Sequence, residues 1–381
     1  MTDKFAIVIP SLNPGKGLPG YVATLRAITD TPIVLVNDGS REELKPIFQQ
    51  CVSKVKNVSL LTHELNKGKG RALKTAFAHL LGNVPGLMGC VTCDSDGQHA
   101  PQDVLKCLNA LKKEPGAIVL GCRTFNLEHV PWKSRLGNNS MRTLFRLATG
   151  SDFLDTQTGL RAIPAEFMRE LLECPGERFE FETHMLLRLN GRKLLQVPIE
   201  TLYVDGNRET HFDPVRDTLK ISAIILVACL RKLAKFAIAS LLSFGVDIDL
   251  FTLLYYHVFD ERSFGRLLFS VAIARAVSLV FNYSCNRYFV FGEAHGGRNF
   301  DAKAFGQYLI LAGFIMAASY ELTHLCHKAL PQIALPVVKI CVDFFLFLAS
   351  YGVQRMLIFS GGLTRRLPGH STGEKKRLAQ R

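Results

Sequence analysis

Four apolar stretches, at about 233–258, 267–291, 304–324 and 334–359, dominate the second half of this 381-residue chain. Each is long enough to cross ~30 Å of hydrocarbon, which takes roughly 20 helical residues. They carry polar residues as well, among them Asp247, Asp249, Arg275, Asn282, Asn286, Arg287, Glu321 and Asp343. A buried helical domain in water is therefore the alternative to four spans. Four stretches in succession with basic flanks favour the membrane. Lys220, Arg231, Lys232 and Lys235 precede the first; Arg287, Arg298 and Lys303 surround the loop after the second; Arg365, Arg366, Lys375, Lys376, Arg377 and Arg381 follow the fourth. Positive charge marks the cytoplasmic side, so both termini are expected there. The stretch "LKISAIILVACLRKLAK" is too short in its apolar part to cross, and reads as a helix lying in the interface. A further span is the alternative.

The first half has a different rhythm. "FAIVIP", "PIVLVNDGS", "VSLLTH", "LMGCVTCDSD" and "AIVLGCR" are short β-branched runs, separated by amphipathic stretches such as "GKGRALKTAFAHLL" and "PQDVLKCLNALKK". Strand alternating with helix predicts an α/β domain with a mainly parallel, Rossmann-like sheet covered on both faces. No secretory signal precedes the first strand, so this half is expected in the cytosol. The expected organisation is a domain over 1–212, an interfacial helix over 213–232, an all-α transmembrane four-helix domain over 233–360 and a basic tail over 361–381.

Composition narrows the partners. The net charge of +13 comes without a nucleic-acid-binding motif, which leaves anionic lipid and phosphorylated substrates. The ten cysteines follow no framework spacing, and the pair Cys90 and Cys93 lacks a second pair to complete a zinc site. Reduced thiols are the simpler reading.

In open α/β sheets ligands bind beyond the carboxyl ends of the strands. Polar clusters fall at those ends: Ser11 and Asn13, Asn37 and Asp38, Asp94 and Asp96, and Arg123. Any one Asp or Asn could simply cap the next helix. Four along one edge point to a crevice. "TCDSDGQH" places two carboxylates one residue apart, followed by Gln98 and His99. Asp94, Asp96 and Gln98 offer hard oxygen ligands suited to Mg²⁺ or Mn²⁺. His99 reads equally as a ligand or as a histidine with a structural hydrogen bond. "NKGKG" sets Lys67 and Lys69 among glycines, either to close over a phosphate or as a solvated basic turn, and it is not a Walker loop.

In chain order, "VIPSLNP", "VNDGS", "NKGKGRALKTAF", "CDSDGQH", "DTQTGLRAIP" and "RFEFETHMLL" resemble the successive motifs of family 2 glycosyltransferases. The branch is that of dolichol-phosphate mannose synthase and bacterial polyprenyl-phosphate glucosyltransferases, and the resemblance covers about residues 4–212. "SFGVDIDLF", "NYSCNRYFVF" and "VDFFLFLASYGVQR" are similar to the GtrA-like four-span family, associated with moving polyprenyl-phosphate sugars across membranes. The resemblance implies metal-dependent, inverting transfer of one hexose, glucose first, from a nucleotide diphosphate sugar to polyprenyl (undecaprenyl) phosphate. Transfer of mannose from a guanosine diphosphate sugar is the alternative. A non-catalytic transporter or binding protein for a lipid-linked sugar is the rival from another class.

The resemblance also distributes roles. It implies that Asp94, Asp96 and Gln98 hold the metal, and that Pro10, Asn13, Asn37, Asp38, Lys69, Asp94 and Ser95 bind the nucleotide sugar. The family usually has two aspartates where this chain has Asn37 and Asp38. Asp96, Arg123, Arg161 and Gln157 form the implied catalytic set. A polyprenyl phosphate is already an anionic nucleophile, so the acceptor side needs cations rather than a base. Arg123, Arg135 and Arg161 are the candidates, with Asn139 one helical turn after Arg135. The "QxxRW" signature of processive synthases is absent, which favours a single transfer. The expected partners are the nucleotide sugar, the polyprenyl lipid and the membrane, with no nucleic acid and with a homo-oligomer left open. The expected location is the bacterial cytoplasmic membrane.

Overall fold

The computed structural model describes residues 4–123, 132–189, 191–200, 216–258, 265–292, 301–360 and 364–366. The chain divides into two compact units, residues 1–145, 152–225 and 363–381 in one and residues 146–151 and 226–362 in the other.

The first unit is built on an eight-stranded sheet. Its strands are β1 (Phe5–Ser11), β2 (Ile33–Asp38), β3 (Val58–His63), β4 (Gly89–Thr92), β5 (Ile118–Arg123), β6 (Arg161–Pro164), β7 (Leu194–Ile199) and β8 (Thr364–Arg366). They lie in the order β3-β2-β1-β4-β6-β5-β7-β8. The five strands expected from the apolar runs all form. β1 pairs in parallel with both β2 and β4, and β5 with β7, but β6 runs antiparallel between β4 and β5. The sheet is therefore mainly parallel and mixed. β6 was hidden in the sequence because "RAIP" is only four residues long and follows a polar turn.

Helices cover the sheet: α1 (Leu18–Ile28), α2 (Lys45–Lys54), α3 (Lys69–Asn83), α4 (Pro101–Lys113), α5 (Trp132–Thr149), α6 (Ala165–Leu172) and α7 (Glu180–Leu187). Every residue of β1 and β2 is buried, as a strand covered on both faces requires. Val22 and Leu25 of α1, Phe48 of α2 and Val104, Leu108 and Leu111 of α4 pack with Ile7, Ile9 and Leu35 of these strands in one core. All ten cysteines are free. Burial pushes the Cys93 thiol up to about 12, so it stays a protonated apolar filler at neutral pH.

The second unit holds four helices: α8 (Arg216–Leu253), α9 (Arg266–Ser284), α10 (Ala302–Ala329) and α11 (Leu335–Val353). Residues 254–258, 285–290 and 354–358 extend α8, α9 and α11 by π-helical turns. Among the described residues three helices are long and apolar enough to cross a membrane, Arg266–Val290, Ala302–Ala329 and Leu335–Ile358. They coincide with three of the expected spans; the remaining one lies in the C-terminal part of α8. The separate interfacial helix is not observed, because α8 continues without a break through Lys232 and Leu233. Residues 216–244 contain neither Gly nor Pro, so nothing in the backbone ends the helix there. Large apolar side chains such as Leu241, Ile310, Met316 and Ile340 are more than two-thirds exposed, as a lipid-facing surface demands. Asp247, Asn286, Arg287 and Arg355 are buried, whereas Asp249, Glu321 and Asp343 are exposed.

A buried amide fastens one loop to the sheet. Gln196 of β7 is fully buried, donates from Nε2 to the Asp152 carbonyl (2.9 Å) and accepts the Leu154 amide on Oε1 (2.6 Å). Replacing Gln196 by Leu strands both backbone groups and is expected to cost about 1–3 kcal/mol. The unfolding midpoint reads this; a variant as stable as the parent would show that the loop does not depend on the amide.

Candidate active site

Asp94 and Asp96 leave the carboxyl end of β4 in a turn, Asp96 accepting the Gln98 amide on Oδ1 (3.0 Å). Asp94 is crowded with partners. Lys69 Nζ lies 2.6 Å from its Oδ1, and His99 Nε2 lies 3.3 Å from its Oδ2. Lys69 also reaches Glu182 of α7 at 3.2 Å. Burial alone would raise the Asp94 carboxyl, but the Lys69 ammonium and His99 overcome it and hold that carboxyl well below the usual range. Burial likewise opposes the charge on Lys69, yet Asp94 and Glu182 keep it firmly protonated. Asp96 is shifted upward, by burial first and by the charge of Asp94 second. The two carboxylates are thus pushed apart in acidity. His99 is used as a hydrogen-bonding support of Asp94, one of the two roles open to it in the sequence.

Two cavities meet at this cluster. One, of about 190 Å³, is lined by Pro10, Asn13, Asp38, Gly68, Ser95 and Arg178 together with Lys69, Asp94, Asp96 and Phe179. The other, of about 250 Å³, shares those last four residues and adds Gln98, Arg123, Gln157, Arg161, Glu182 and Thr183. Most residues expected for the nucleotide sugar line the first cavity, and those expected for catalysis line the second. Asn37 lines neither: its Oδ1 accepts the Ser40 amide (2.9 Å), so the side chain shapes the turn after β2. Ser40 in turn accepts the Asn13 amide (2.8 Å), and Asn13 Oδ1 accepts the Arg41 amide (3.0 Å). Asn13 has a left-handed φ of 50°, which asparagine tolerates. Arg135 and Asn139 fall in the first half of α5, where side chains lie outside the described residues. Lys67 is exposed and does not line either cavity, although its amide donates to Asp38.

The two arginines of the second cavity differ. Arg123 forms a two-pronged pair with buried Asp155, Nε to Oδ2 at 2.7 Å and Nη2 to Oδ1 at 3.1 Å. Arg161 is 1% exposed; Nε donates to the Thr158 carbonyl and Nη1 to the Glu182 carbonyl. Its Nη2 is buried without a partner among the described residues. A guanidinium N–H left unpaired beside a cavity favours an anion there.

Sequence reasoning missed Arg178, Phe179, Glu182 and Asp155 as individuals. They lie in the quoted "RFEFETHMLL" and "DTQTGLRAIP" segments, and only the three-dimensional structure shows what they face. Two glycines sit where a side chain would not fit. Gly68, at φ 101°, sits where a Cβ would come within 2.4 Å of the Glu177 carbonyl oxygen. At Gly159 a Cβ would lie 2.2 Å from Asp94 Oδ2.

Among the described residues no group of three or more His, Cys, Asp or Glu converges as a metal cage. Two carboxylates with an amide oxygen nearby still fit Mg²⁺ or Mn²⁺, ions commonly held by one or two carboxylates plus substrate phosphates. The N-terminus of α3 begins at Lys69, a cavity-lining residue, and presents the positive end of a helix of the kind that receives phosphate.

These features define a Rossmann-like α/β domain with a charged crevice at the carboxyl ends of its strands, and comparison with known proteins gives its family. Residues 6–184 match the model described as glycosyl transferase family 2, and residues 235–359 match the GtrA/DPMS transmembrane domain. An uncharacterized protein of Methanocaldococcus jannaschii is 30% identical over 209 residues, covering 53% of this chain and 83% of that protein. The UDP-N-acetylglucosamine–dolichyl-phosphate N-acetylglucosaminyltransferase of Methanococcus voltae is 29% identical, covering 54% of this chain and 88% of its own. A crystal structure of glucosyl-3-phosphoglycerate synthase from Mycobacterium tuberculosis, with Mn²⁺ and UDP, aligns at a TM-score of 0.43 and 15% identity over 60% of this chain and 78% of that one. The chain belongs to glycosyl transferase family 2. It is a glycosyltransferase whose second unit is a GtrA/DPMS membrane domain.

The glycine beside Asp94 gives a direct check on this geometry. Gly159→Ala is expected to displace the Asp94 carboxylate by about an ångström and to lower transfer roughly 100-fold, with cooperative unfolding retained. Activity within a factor of two of the parent would show that the position of Asp94 does not matter.

Proposed function

We propose that this enzyme transfers a single hexose, with inversion, from a nucleotide diphosphate sugar to a polyprenyl phosphate at the cytoplasmic face of the membrane. The observation that carries the reading is the shared wall of the two cavities. Phosphate-accepting features of the first, the α3 N-terminus and Lys69, face the cluster from one side. Arg161, whose buried Nη2 has no partner among the described residues, lines the second cavity on the other side. A donor diphosphate in the first cavity and a lipid phosphate in the second would bring electrophile and nucleophile together at Asp94, Asp96 and Lys69.

Each residue then has a chemical task. Pro10, Asn13, Asp38 and Ser95 form the walls of the nucleotide-sugar cavity. Lys69 lies where negative charge would build on the leaving diphosphate, and the lowered pKa of Asp94 keeps its carboxylate ionised beside it. Asp94, Asp96 and Gln98 would hold Mg²⁺ or Mn²⁺, which supplies charge neutralisation for a leaving diphosphate. Arg161, with Arg123 held by Asp155 and Gln157 nearby, would position the acceptor phosphate. That phosphate is ionised at neutral pH, so no base is required of Glu182, whose carboxylate is taken up by Lys69. The dolichyl-phosphate acceptor in the name of the methanococcal relative supports this acceptor class. Glucose from a uridine diphosphate sugar is the first choice, and mannose from a guanosine diphosphate sugar the alternative.

Incubating membranes that carry the protein with a panel of radiolabelled nucleotide sugars tests the reading. One label is expected to become lipid-extractable, and Asp96→Asn to abolish that label while the protein stays folded and membrane-bound. No lipid-extractable label from any donor, or full turnover by the Asp96→Asn variant, would contradict it.

The membrane unit supports a second step, passage of the product's head group. A cavity of about 390 Å³ lies among its helices, lined by Ser243, Asp247, Ser278, Asn282, Tyr308 and Gln354 among others. Asp247 accepts Ser278 Oγ (3.0 Å), and Asn282 Oδ1 accepts Tyr308 Oη (3.0 Å) and Asn286 Nδ2 (2.7 Å). Polar groups in a lipid environment gather around one another or a polar path. Asp247→Leu is expected to leave synthesis of the lipid-linked sugar intact while its appearance on the outer face of sealed vesicles falls. Unchanged outward exposure would reduce the unit to an anchor.

A further inference from the structure

His63, the last residue of β3, is buried at 8% exposure and lines neither cavity of the site, yet its ring holds together three elements beside the first cavity. Nδ1 lies 2.7 Å from Asp38 Oδ1 at the end of β2, and Nε2 lies 3.0 Å from Thr75 Oγ1 in α3. Carboxylate oxygens only accept, so Nδ1 carries the proton and donates. The Thr75 hydroxyl can donate or accept and suits either state of Nε2.

Asp38 passes this restraint on. Its Oδ1 also accepts the Lys67 amide (3.0 Å) and its Oδ2 the Gly68 amide (2.8 Å). Those two amides fix the turn that leads into α3, and this turn brings Asn66, Gly68 and Lys69 to the first cavity, where Asp38 itself is a wall. Three donors on one buried carboxylate leave one acceptor direction, on Oδ2, open to a ligand. Without the imidazole only the two amides of the turn itself restrain the carboxylate, and its tie to β3 and α3 is lost.

We infer that His63 is a positioning residue for donor binding: it fixes the Asp38 carboxylate, and through it the 66–69 turn, in the orientation that receives the nucleotide. The inference rests on the first cavity being the donor site. It predicts an effect felt mainly by the donor, since His63, Asp38 and Thr75 all lie outside the second cavity and of the 66–69 turn only Lys69 lines both.

The test uses the full-length protein in detergent, with UDP and GDP binding followed by calorimetry and with donor and acceptor KM and kcat measured on the same samples. In His63→Asn the amide nitrogen replaces Nδ1 and keeps the bond to Asp38. In His63→Gln the amide replaces Nε2 and loses it. Thr75→Val removes only the far contact. His63→Gln is expected to weaken nucleotide binding and raise donor KM about tenfold, the scale of one hydrogen bond to a charged group, with kcat and acceptor KM within a factor of about two. His63→Asn and Thr75→Val are expected to remain within about threefold of the parent. Three variants that bind equally well, or a His63→Gln loss shared equally by donor and acceptor, would overturn the inference while leaving the donor site in place. Misfolding of His63→Gln alone would make the ring a fold anchor and overturn it too. A parent chain that binds neither nucleotide would overturn the donor-site reading and this inference with it.

Discussion

The site depends on one ammonium group. Lys69 lies between Asp94 and Glu182, at 2.6 and 3.2 Å, and without it two carboxylates from different elements would face each other across a partly buried space. Desolvated carboxylates in that position would take up protons or separate. The lysine keeps Asp94 ionised and holds the two together, and it is also the residue through which the two cavities meet. Its own position follows from the backbone. Gly68 sits against the Glu177 carbonyl where no side chain fits, so the 176–182 segment can close on the start of α3 and deliver Glu182 and Phe179. The same logic places Asp94, which rests against Gly159 of the "DTQTGLR" segment.

Much of this could be read in the sequence, and the limits have physical causes. The five β-branched runs became β1 to β5 because period, length and terminal polar residues agree at each. The crevice followed from the rule that such sheets bind ligands at their carboxyl ends, and Asp94, Asp96, Arg123 and Arg161 do line it. What stayed hidden was what each side chain is tied to. Asn37 reads like a ligand-binding amide until its bond to Ser40 is seen. Arg123 reads as an open cation, but Asp155, 32 residues later, holds its fork. His63 gave no signal at all, since a single histidine closing a strand is commonplace and its partners are 25 and 12 residues away.

The membrane half shows the complementary limit. Hydropathy located three helices long and apolar enough to cross, because such a helix needs only length and apolar composition. It divided into an interfacial piece and a span what the structure joins in the one helix α8, since the sequence there carries charge without a helix breaker. It also could not sort the polar residues. Asp247 and Asn282 enter a hydrogen-bonded network, whereas Asp249 and Glu321 are exposed. That distinction depends on which face of each helix meets its neighbours.

The central claim is that the nucleotide diphosphate and the lipid phosphate occupy opposite sides of the Lys69–Asp94–Glu182 cluster. A density map of the full-length enzyme with Mn²⁺, a nucleoside diphosphate and a short-chain polyprenyl phosphate tests it most directly. The account predicts the nucleoside diphosphate in the cavity of Pro10, Asn13 and Asp38, the metal's anomalous signal at Asp94 and Asp96, and the lipid phosphate against Arg161. A nucleotide lying against Arg161 and Gln157, or a lipid phosphate beside Asp38, would contradict it.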